Sequence, residues 1–500
     1  MEPFAALQAR LAESYHRVFD DPLAPRSVLV VPSLSFDGEI LAKVKGAHHY
    51  EERMLCMLLL LRYPRAELIY VTSTPVAPAI VDYYLHLLPG VPAAHARRRL
   101  TLLSCEDSSP QPLTAKLLAR PRMLERLRAT VSDTGSAHMS CFTVTPLERE
   151  LALKLDIPIY GCDPDLLDWG SKSGSRRLFR EAGVPVSAGF EDLADLTQVA
   201  DALAELKGRN PALSRAVVKL NEGFSGEGNA VFSFRDAPAG PGLAAWVKGA
   251  LPGLAFEAAG MTLEGFGEKL HEMGGIVEEW IEGAVKTSPS VQLRVDPTGR
   301  LVPVSTHDQL LGGANGQIFL GCRFPADPAY RMEIQALGVK AGEAMARKGV
   351  VGRFAVDFVS VRTDGGWEHK AIEINLRKGG TTHPFLMLQF LTDGRYDPAT
   401  GDFLTAAGRP CFYTASDNLE STSYRGLTPD DLIDISVMNG LHFHAAAAEG
   451  VAFHMIGALS EYGKLGITCI AGTADRAEEL FADTVRVLDR ECGAPGTPPA

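Results

Sequence analysis

No apolar run in this chain is long enough to cross a membrane. The longest, Met54 to Leu61, stops at Arg62, whereas a spanning helix needs about 20 residues. The start, Met1-Glu2-Pro3, lacks a basic stretch followed by an apolar one, so no secretory signal is expected. Cysteines are few and scattered: Cys56, Cys105, Cys141, Cys162, Cys322, Cys411, Cys469 and Cys492 form no Cys-x-x-Cys pair and keep no zinc-finger spacing with histidine. That excludes a zinc module and fits reduced thiols in a cytoplasmic protein. Basic residues are in deficit, 49 against 61 acidic ones, for a net charge of −12. Default affinity for nucleic acid or for an anionic membrane surface is thereby disfavoured. The phosphate loop Gly-x-x-x-x-Gly-Lys-Ser/Thr and the dinucleotide fingerprint Gly-x-Gly-x-x-Gly are both missing, as is any internal repeat.

What is present is 500 residues, 46% of them hydrophobic, enough for two or three domains with separate cores. Ser27–Val31 and Leu68–Thr72 are β-rich runs separated by the helical composition of Tyr50–Leu61. This order predicts a right-handed βαβ unit with buried parallel strands. Leu100–Leu103, a helix over Leu113–Arg128 and a helix over Pro146–Lys154 continue the pattern, and a second region begins near Asp163-Pro164. Short strand patterns follow at Val217–Leu220, Ala230–Phe234, Ile276–Ile281, Ser290–Val295, Leu301–Ser305, Phe354–Val361 and Lys370–Ile374. Several are joined by tight turns, which predicts an antiparallel-rich α+β region. Residues 393–408 read as a surface excursion. Ile467–Ile470 followed by an amphipathic helix from Ala474 to Leu488 closes the chain as a small α/β unit.

The most informative segment runs from Asp357 to Asn375. Folding it about Gly365 puts Asp357 nearly opposite Glu373, and Glu373 and Asn375 share a face because strand side chains alternate. Two facing carboxylates with an amide oxygen beside them suit Mg²⁺ bound with nucleotide phosphates; a solvated hairpin face is the other reading. The strand Val217–Leu220 carries Lys219 and leads into a loop with Gly223, Ser225, Gly226 and Gly228. Its glycines would let backbone N–H groups approach phosphate closely, although such a turn also serves as a plain hairpin. The strand Ile276–Gly283 offers Glu278, Glu279, Trp280 and Ile281 as an adenine-binding wall, or else as a solvated edge. Beyond Asn375, Arg377 and Lys378 open a basic loop suited to oxyanions, and Arg353 is a second such candidate. His307-Asp308-Gln309, following a strand, is read as substrate-contacting or as a turn cap. His442, His444 and His454 are weighed as metal ligands and discounted for want of diagnostic spacing. Tyr50-Glu51-Glu52-Arg53 is read as a solvated helix face.

With Lys172 in SKSGSRRLFREAGVP upstream, this succession resembles the ATP-grasp superfamily over about residues 160–390. The resemblance implies that Lys172 and Lys219 contact phosphate, that Ser225 and Gly226 belong to the lid, and that Glu278 to Ile281 form the adenine hinge. It also implies Asp357, Glu373 and Asn375 as Mg²⁺ ligands. The ribose-binding acid usual after the hinge is replaced by Ala284-Val285-Lys286-Thr287. Three further segments, VVPSLSFDGEILAKVKGAHHYEERML, INLRKGGTTHPF and FHMIGALSEYGKLGITCIAG, resemble peptide ligases of pheganomycin type, and this resemblance raises a structural or substrate-side role for Tyr50-Glu51-Glu52-Arg53 in the first of them. The expected architecture is therefore α/β and α+β multidomain. It comprises a pre-ATP-grasp α/β domain (1–160), an ATP-grasp core with antiparallel sheets (161–390, nucleotide lid about 211–283) and a small C-terminal α/β domain (425–490). The expected activity joins a carboxylate to the amine of an amino acid or peptide through an acyl phosphate, with ATP and Mg²⁺. An ATP-grasp enzyme with a thiol or carboxylation acceptor, and a non-catalytic ATP sensor, are the alternatives. Neither nucleic acid nor membrane is an expected partner, and monomer and homodimer both stay open.

Overall fold

The computed structural model describes residues 3–36, 41–42, 44–223, 228–258, 260–313 and 316–493. Strands β1 (Arg26–Val31), β2 (Ala66–Thr72), β3 (Leu100–Ser104) and β4 (Ala137–Cys141) form a parallel sheet in the order β3-β2-β1-β4. Every residue of β1 is buried. Val28 and Val30 enter one apolar core, while Leu29 and Val31 enter another on the opposite face. A strand covered on both faces has no use for alternation, which is why β1 reads as a continuous apolar run.

The segment Ala47–Arg62 is a helix of tight 3-10 winding. Three residues per turn eclipse side chains at i and i+3. Arg53 accordingly lies over the Tyr50 ring, 4.3 Å from its centroid, and His49 Nδ1 meets Glu52 at 3.1 Å. Instead of the solvated face expected, Glu51 and Glu52 are buried. Glu51 accepts from the backbone N–H and hydroxyl of Ser73, both at 2.6 Å, and Glu52 accepts from Gly457 N at 3.0 Å. Leu55, Leu58 and Leu59 share a core with Met387, Leu388 and Ile467, so this helix is wedged between the parallel sheet and the rest of the molecule. The apolar run Met54–Leu61 is explained by that position.

A second sheet holds β5 (Gly189–Leu193), β6 (Arg215–Leu220), β7 (Asn229–Ser233), β8 (Ala255–Phe256) and β9 (Gly275–Glu279), in the order β5-β9-β6-β7-β8. It packs its own apolar core against the helices Leu196–Arg209 and Leu263–Met273. The third and largest sheet has nine strands. It takes in β10 (Lys286–Thr287), β11 (Pro289–Val295), β12 (Leu301–Gly312), β13 (Ile318–Phe324), β14 (Gly352–Thr363) and β15 (Gly366–Asn375). A separate two-stranded hairpin, β16 (Arg395–Asp397) and β17 (Asp402–Leu404), is the surface excursion foreseen at 393–408. Then β18 (Phe412–Glu420), β19 (Gly450–His454) and β20 (Lys464–Ala471) return to the large sheet. Its order is β10-β14-β11-β12-β13-β18-β20-β19, with β15 on β14. The small C-terminal domain thus adds its strands to the edge of the core sheet through β18, rather than building a sheet of its own. Its helix Ala474–Glu491 covers β18 and β20.

Candidate active site

The β14/β15 hairpin pairs Asp357 with Glu373 and Ala355 with Asn375, so the two carboxylates and the amide lie side by side. Asn375 Nδ2 donates to Asp357 Oδ2 at 2.9 Å and to Glu373 Oε1 at 3.3 Å, while the neighbouring strand contributes Ser290, whose hydroxyl donates to Asp357 Oδ1 at 2.6 Å. Glu373 also pairs with Lys172, the first residue of the helix Lys172–Glu181, which Ser171 caps by accepting from Gly174 N at 2.9 Å. Burial, and then the Glu373 charge, push the Asp357 carboxyl up to about 6. Burial would also raise Glu373, but the cations around it, Lys172 first, bring it down to about 2. A crowded carboxylate pair that draws in a lysine is a site short of positive charge.

Lys219, on β6, meets Glu278 Oε1 at 2.5 Å, and the other Glu278 oxygen receives Arg176 Nη1 at 2.9 Å. Arg176 follows Lys172 by one helical turn and also donates to Ser187 O at 2.9 Å. Glu278 therefore does not offer a carboxylate to an adenine edge; its charge is spent between two cations. The Glu279 carboxylate accepts from Ala188 N at 3.2 Å. The Trp280 ring lies between Arg215 and Lys286, 4.6 and 4.8 Å from its centroid. Val217, Glu279, Trp280 and Ile281 line one end of a cavity of about 740 Å³, and Lys172, Lys219, Gly223, Asp357, Glu373, Asn375 and Arg377 line it further in. Lys286, in the stretch where a ribose-binding acid was missed, also faces this space. Ser225 and Gly226 lie outside the described residues.

At the far end stand residues that the sequence offered only through the resemblance or as part of the basic loop, together with two, Asp417 and Asn418, that it did not single out. Tyr50 and Arg53 come from the tight helix and Asp417 and Asn418 from β18, and the Gly379-Gly380-Thr381 loop follows Arg377. Arg53 pairs with Asp417. The three-residue spacing of Tyr50 and Arg53 is a second signal in the sequence, visible only once the winding is known. Arg377 donates to Lys378 O at 3.2 Å, and burial lowers its pKa against the pull of Glu373.

Other expected residues lie elsewhere. Arg353 pairs across β11 with Arg294 and is not among the lining residues. Burial, with the Arg294 charge next, lowers it to about 10, and four register positions along β14 separate it from Asp357. Lys378 turns away from the cavity to donate to Cys141 O and tie the loop to the N-terminal domain. His307 lies inside β12 rather than after a strand and is buried against the Tyr413 hydroxyl at 2.6 Å. Asp308 accepts from the Tyr330 hydroxyl at 2.6 Å and from Asp327 N at 2.9 Å, which makes it a loop anchor on the cavity wall. His442, His444 and His454 do not converge. His454 is buried with its ring 4.1 Å from that of His383, and His442 and His444 make separate bridges to Val451 and Glu449. Among the described residues, the one group of three histidine, cysteine or carboxylate donors within 4.8 Å of one another is His48, His49 and Glu461. No helix among them is long and apolar enough to cross a membrane.

Comparison with known proteins bears on the family and the fold. The family model described as IQCH-like ATP-grasp matches residues 167–237 and 258–398, and the PGM1 C-terminal domain model matches 431–484. The L-propargylglycine–L-glutamate ligase of Streptantibioticus cattleyicolor is 33% identical over 93% of this chain and 94% of its own length. The IQ motif-containing protein H of Danio rerio is 21% identical over 99% of this chain; the match spans about half, 51%, of that longer protein. Among solved structures, the biotin carboxylase domain of Hydrogenobacter thermophilus 2-oxoglutarate carboxylase superposes with a TM-score of 0.55 at 12% identity, covering 92% of this chain and 89% of that one. At that identity the likeness speaks for the fold alone. Taken with the hairpin acids and the lysines beside them, the similarity in sequence over nearly the whole length makes this chain a member of the ATP-grasp family of ATP-dependent carboxylate–amine ligases, in the branch that carries the PGM1-type C-terminal domain.

Proposed function

We propose that the chain forms an amide bond between two amino acids, or between an amino acid and a peptide, by way of an acyl phosphate, in specialised metabolism and in the cytoplasm. The observation that carries this reading is the Asp357–Glu373 pair with Asn375 and Lys172 inside the cavity. The residues fit the group the family uses. Hard oxygen donors on two adjacent carboxylates suit Mg²⁺, and Lys172 occupies the position where positive charge is wanted. Mg²⁺ on Asp357, Glu373 and Asn375 would supply charge neutralisation for phosphoryl transfer from ATP.

The chain's own residues do the rest. Ser290 fixes the orientation of Asp357. Lys172 and Lys219 are proposed to hold the phosphates, with Gly223 beside them. Glu278 keeps Lys219 and Arg176 in place. The backbone of Glu279 to Ile281 and the Trp280 face form the adenine wall. A carboxylate is a poor acylating agent until its oxygen leaves as phosphate, so the negative charge that develops at this step must be met. Arg377, a planar fork next to the acids, is placed to do so. The named substrates of the Streptantibioticus relative make L-glutamate and an apolar L-amino acid the first pair to test.

Incubation with ATP, Mg²⁺ and an acid-by-amine matrix is expected to release ADP and phosphate, and hydroxylamine to trap the activated acid as a hydroxamate. Accumulation of AMP with no hydroxamate across the matrix would refute the acyl-phosphate route.

A further inference from the structure

The cavity is lined by seven carboxylates, and six of them are committed. Glu278 is held by Arg176 and Lys219, Glu279 receives Ala188 N, Asp308 receives Tyr330, Asp327 caps Ala329 N, and Asp357 and Glu373 form the metal pair. The seventh, Asp417, sits at the end away from the adenine wall. Its side chain is only 4% exposed and its partner Arg53 10% exposed. The pair is under-filled on both sides. Asp417 accepts from Arg53 and from Asn418 Nδ2, at 3.1 Å for the latter, whereas a carboxylate accepts about four hydrogen bonds. Arg53 uses one nitrogen for Asp417, stacks its plane on Tyr50, and leaves Nε buried without a partner. Arg377 lines the same cavity, and no carboxylate pairs directly with it among the described residues. The far end therefore holds two cationic forks and one anion. A ligand that completes all of them carries an ammonium and a carboxylate on adjacent atoms.

Resting on the reading under Proposed function, we infer that Asp417 and Arg53 form the receptor for the head group of an α-amino acid substrate, with Asp417 taking the ammonium and Arg53 a carboxylate oxygen. Asn418, which also donates to Phe319 O at 2.9 Å, positions the Asp417 carboxylate. The receptor is assembled from the N-terminal helix and the strand that leads into the C-terminal domain, so both outer domains take part in choosing the substrate. The acid turned over is an amino acid with a free α-amine, and an N-acylated or des-amino acid of the same shape is rejected because it leaves the remaining acceptor positions of the buried Asp417 carboxylate unfilled.

The test compares ADP release and hydroxamate formation with each of the twenty L-amino acids and with their des-amino analogues, in the wild type and in Asp417→Asn. The wild type is expected to prefer the best amino acid over its des-amino analogue at least about a hundred-fold in kcat/KM. Asp417→Asn is expected to bring the amino acid down to the level of the analogue while KM for ATP stays within about two-fold. Asp417→Glu keeps the ion pair and moves the carboxylate by one methylene; an intermediate preference is expected. This variant decides the question if Asp417→Asn does not fold. Equal loss on both acids in either variant, or a wild-type preference for the des-amino series, overturns the inference. Absence of hydroxamate with every acid of both series overturns the ligase reading itself.

Discussion

Replacing Glu278 by Gln removes the anion that lies between Lys219 and Arg176. The side chains involved are 3%, 8% and 1% exposed, so the group belongs with buried ion pairs and not with the surface pairs that contribute under about 1 kcal/mol. Removing one partner of a buried pair costs about 3–5 kcal/mol because the remaining charge is left uncompensated; here Lys219 loses its ion pair, while Arg176 keeps Glu191 Oε2 at 3.4 Å. For a unit of 150–250 residues, the size of the ATP-grasp core, about 2–4 °C is lost per kcal/mol, which predicts a fall of about 6–20 °C in the melting midpoint. The same change frees Lys219 from its fixed position, so KM for ATP should rise in any fraction that folds. Glu279→Gln is the control, since its neighbouring carboxylate makes one 3.2 Å bond to Ala188 N at an exposed position and should cost less than about 1 kcal/mol. Differential scanning calorimetry with initial-rate kinetics reads both quantities. If the two variants melt together and share the wild-type KM for ATP, the assignment of Glu278 as the organiser of the phosphate lysine is wrong.

Further outcomes follow from the same contacts. Ser290→Ala, which removes the hydroxyl bonded to Asp357, should weaken the Mg²⁺ dependence or turnover by about 10–100-fold, read by titrating Mg²⁺ at fixed ATP. Arg377→Ala should lower kcat by about 10²–10³-fold with little change in KM for ATP, whereas Arg353→Ala, outside the cavity, should leave KM for ATP unchanged; steady-state kinetics separates the two. Glu51 is held up at about 7 by burial, against 4.5 for the free group. A carboxyl raised on folding stabilises fully below its unfolded value, and this contribution fades as pH rises through the folded one. Denaturant unfolding should show a stability that declines between pH 5 and 8, by about 3 kcal/mol from this group, and Glu51→Gln should flatten that slope. Gly466→Ala would set a methyl group against the His454 ring, 2.2 Å from its Nε2, and an overpacked core of this kind should cost about 1–3 kcal/mol in a thermal melt.

The parts of the site that a sequence can disclose are those fixed by local periodicity. Asp357 and Glu373 were placed opposite each other by the turn at Gly365, and the hairpin register pairs them. Lys219 stood out because a lysine at the end of a buried strand before glycines is unusual. Glu278 was misjudged because strand alternation says that one of two adjacent acids points inward, but not what it meets; the answer was Arg176, on a helix a hundred residues earlier. Arg353 looked promising by its nearness to Asp357 along the chain, yet four register positions carry it beyond the cavity lining to lie opposite Arg294. Arg53 and Asp417 are 364 residues apart, and no local pattern announces such a pairing. The helix that carries Arg53 misled for a different reason: its 3-10 winding turns acids inward that 3.6-residue periodicity would have left to solvent.

The large sheet runs without interruption from the β14/β15 hairpin to β19, through the pairing of β13 with β18. Its hydrogen-bond ladder crosses the boundary that sequence composition marks near residues 393–408. The C-terminal domain is consequently a poor unit of exchange in chimeras or of removal by truncation: a cut there would strip β13 of its neighbour and leave an open strand edge, a template for aggregation. Among relatives of this kind, substrate choice should be transplanted as matched sets of side chains across the seam, since recombination within the seam trades specificity for an unpaired edge.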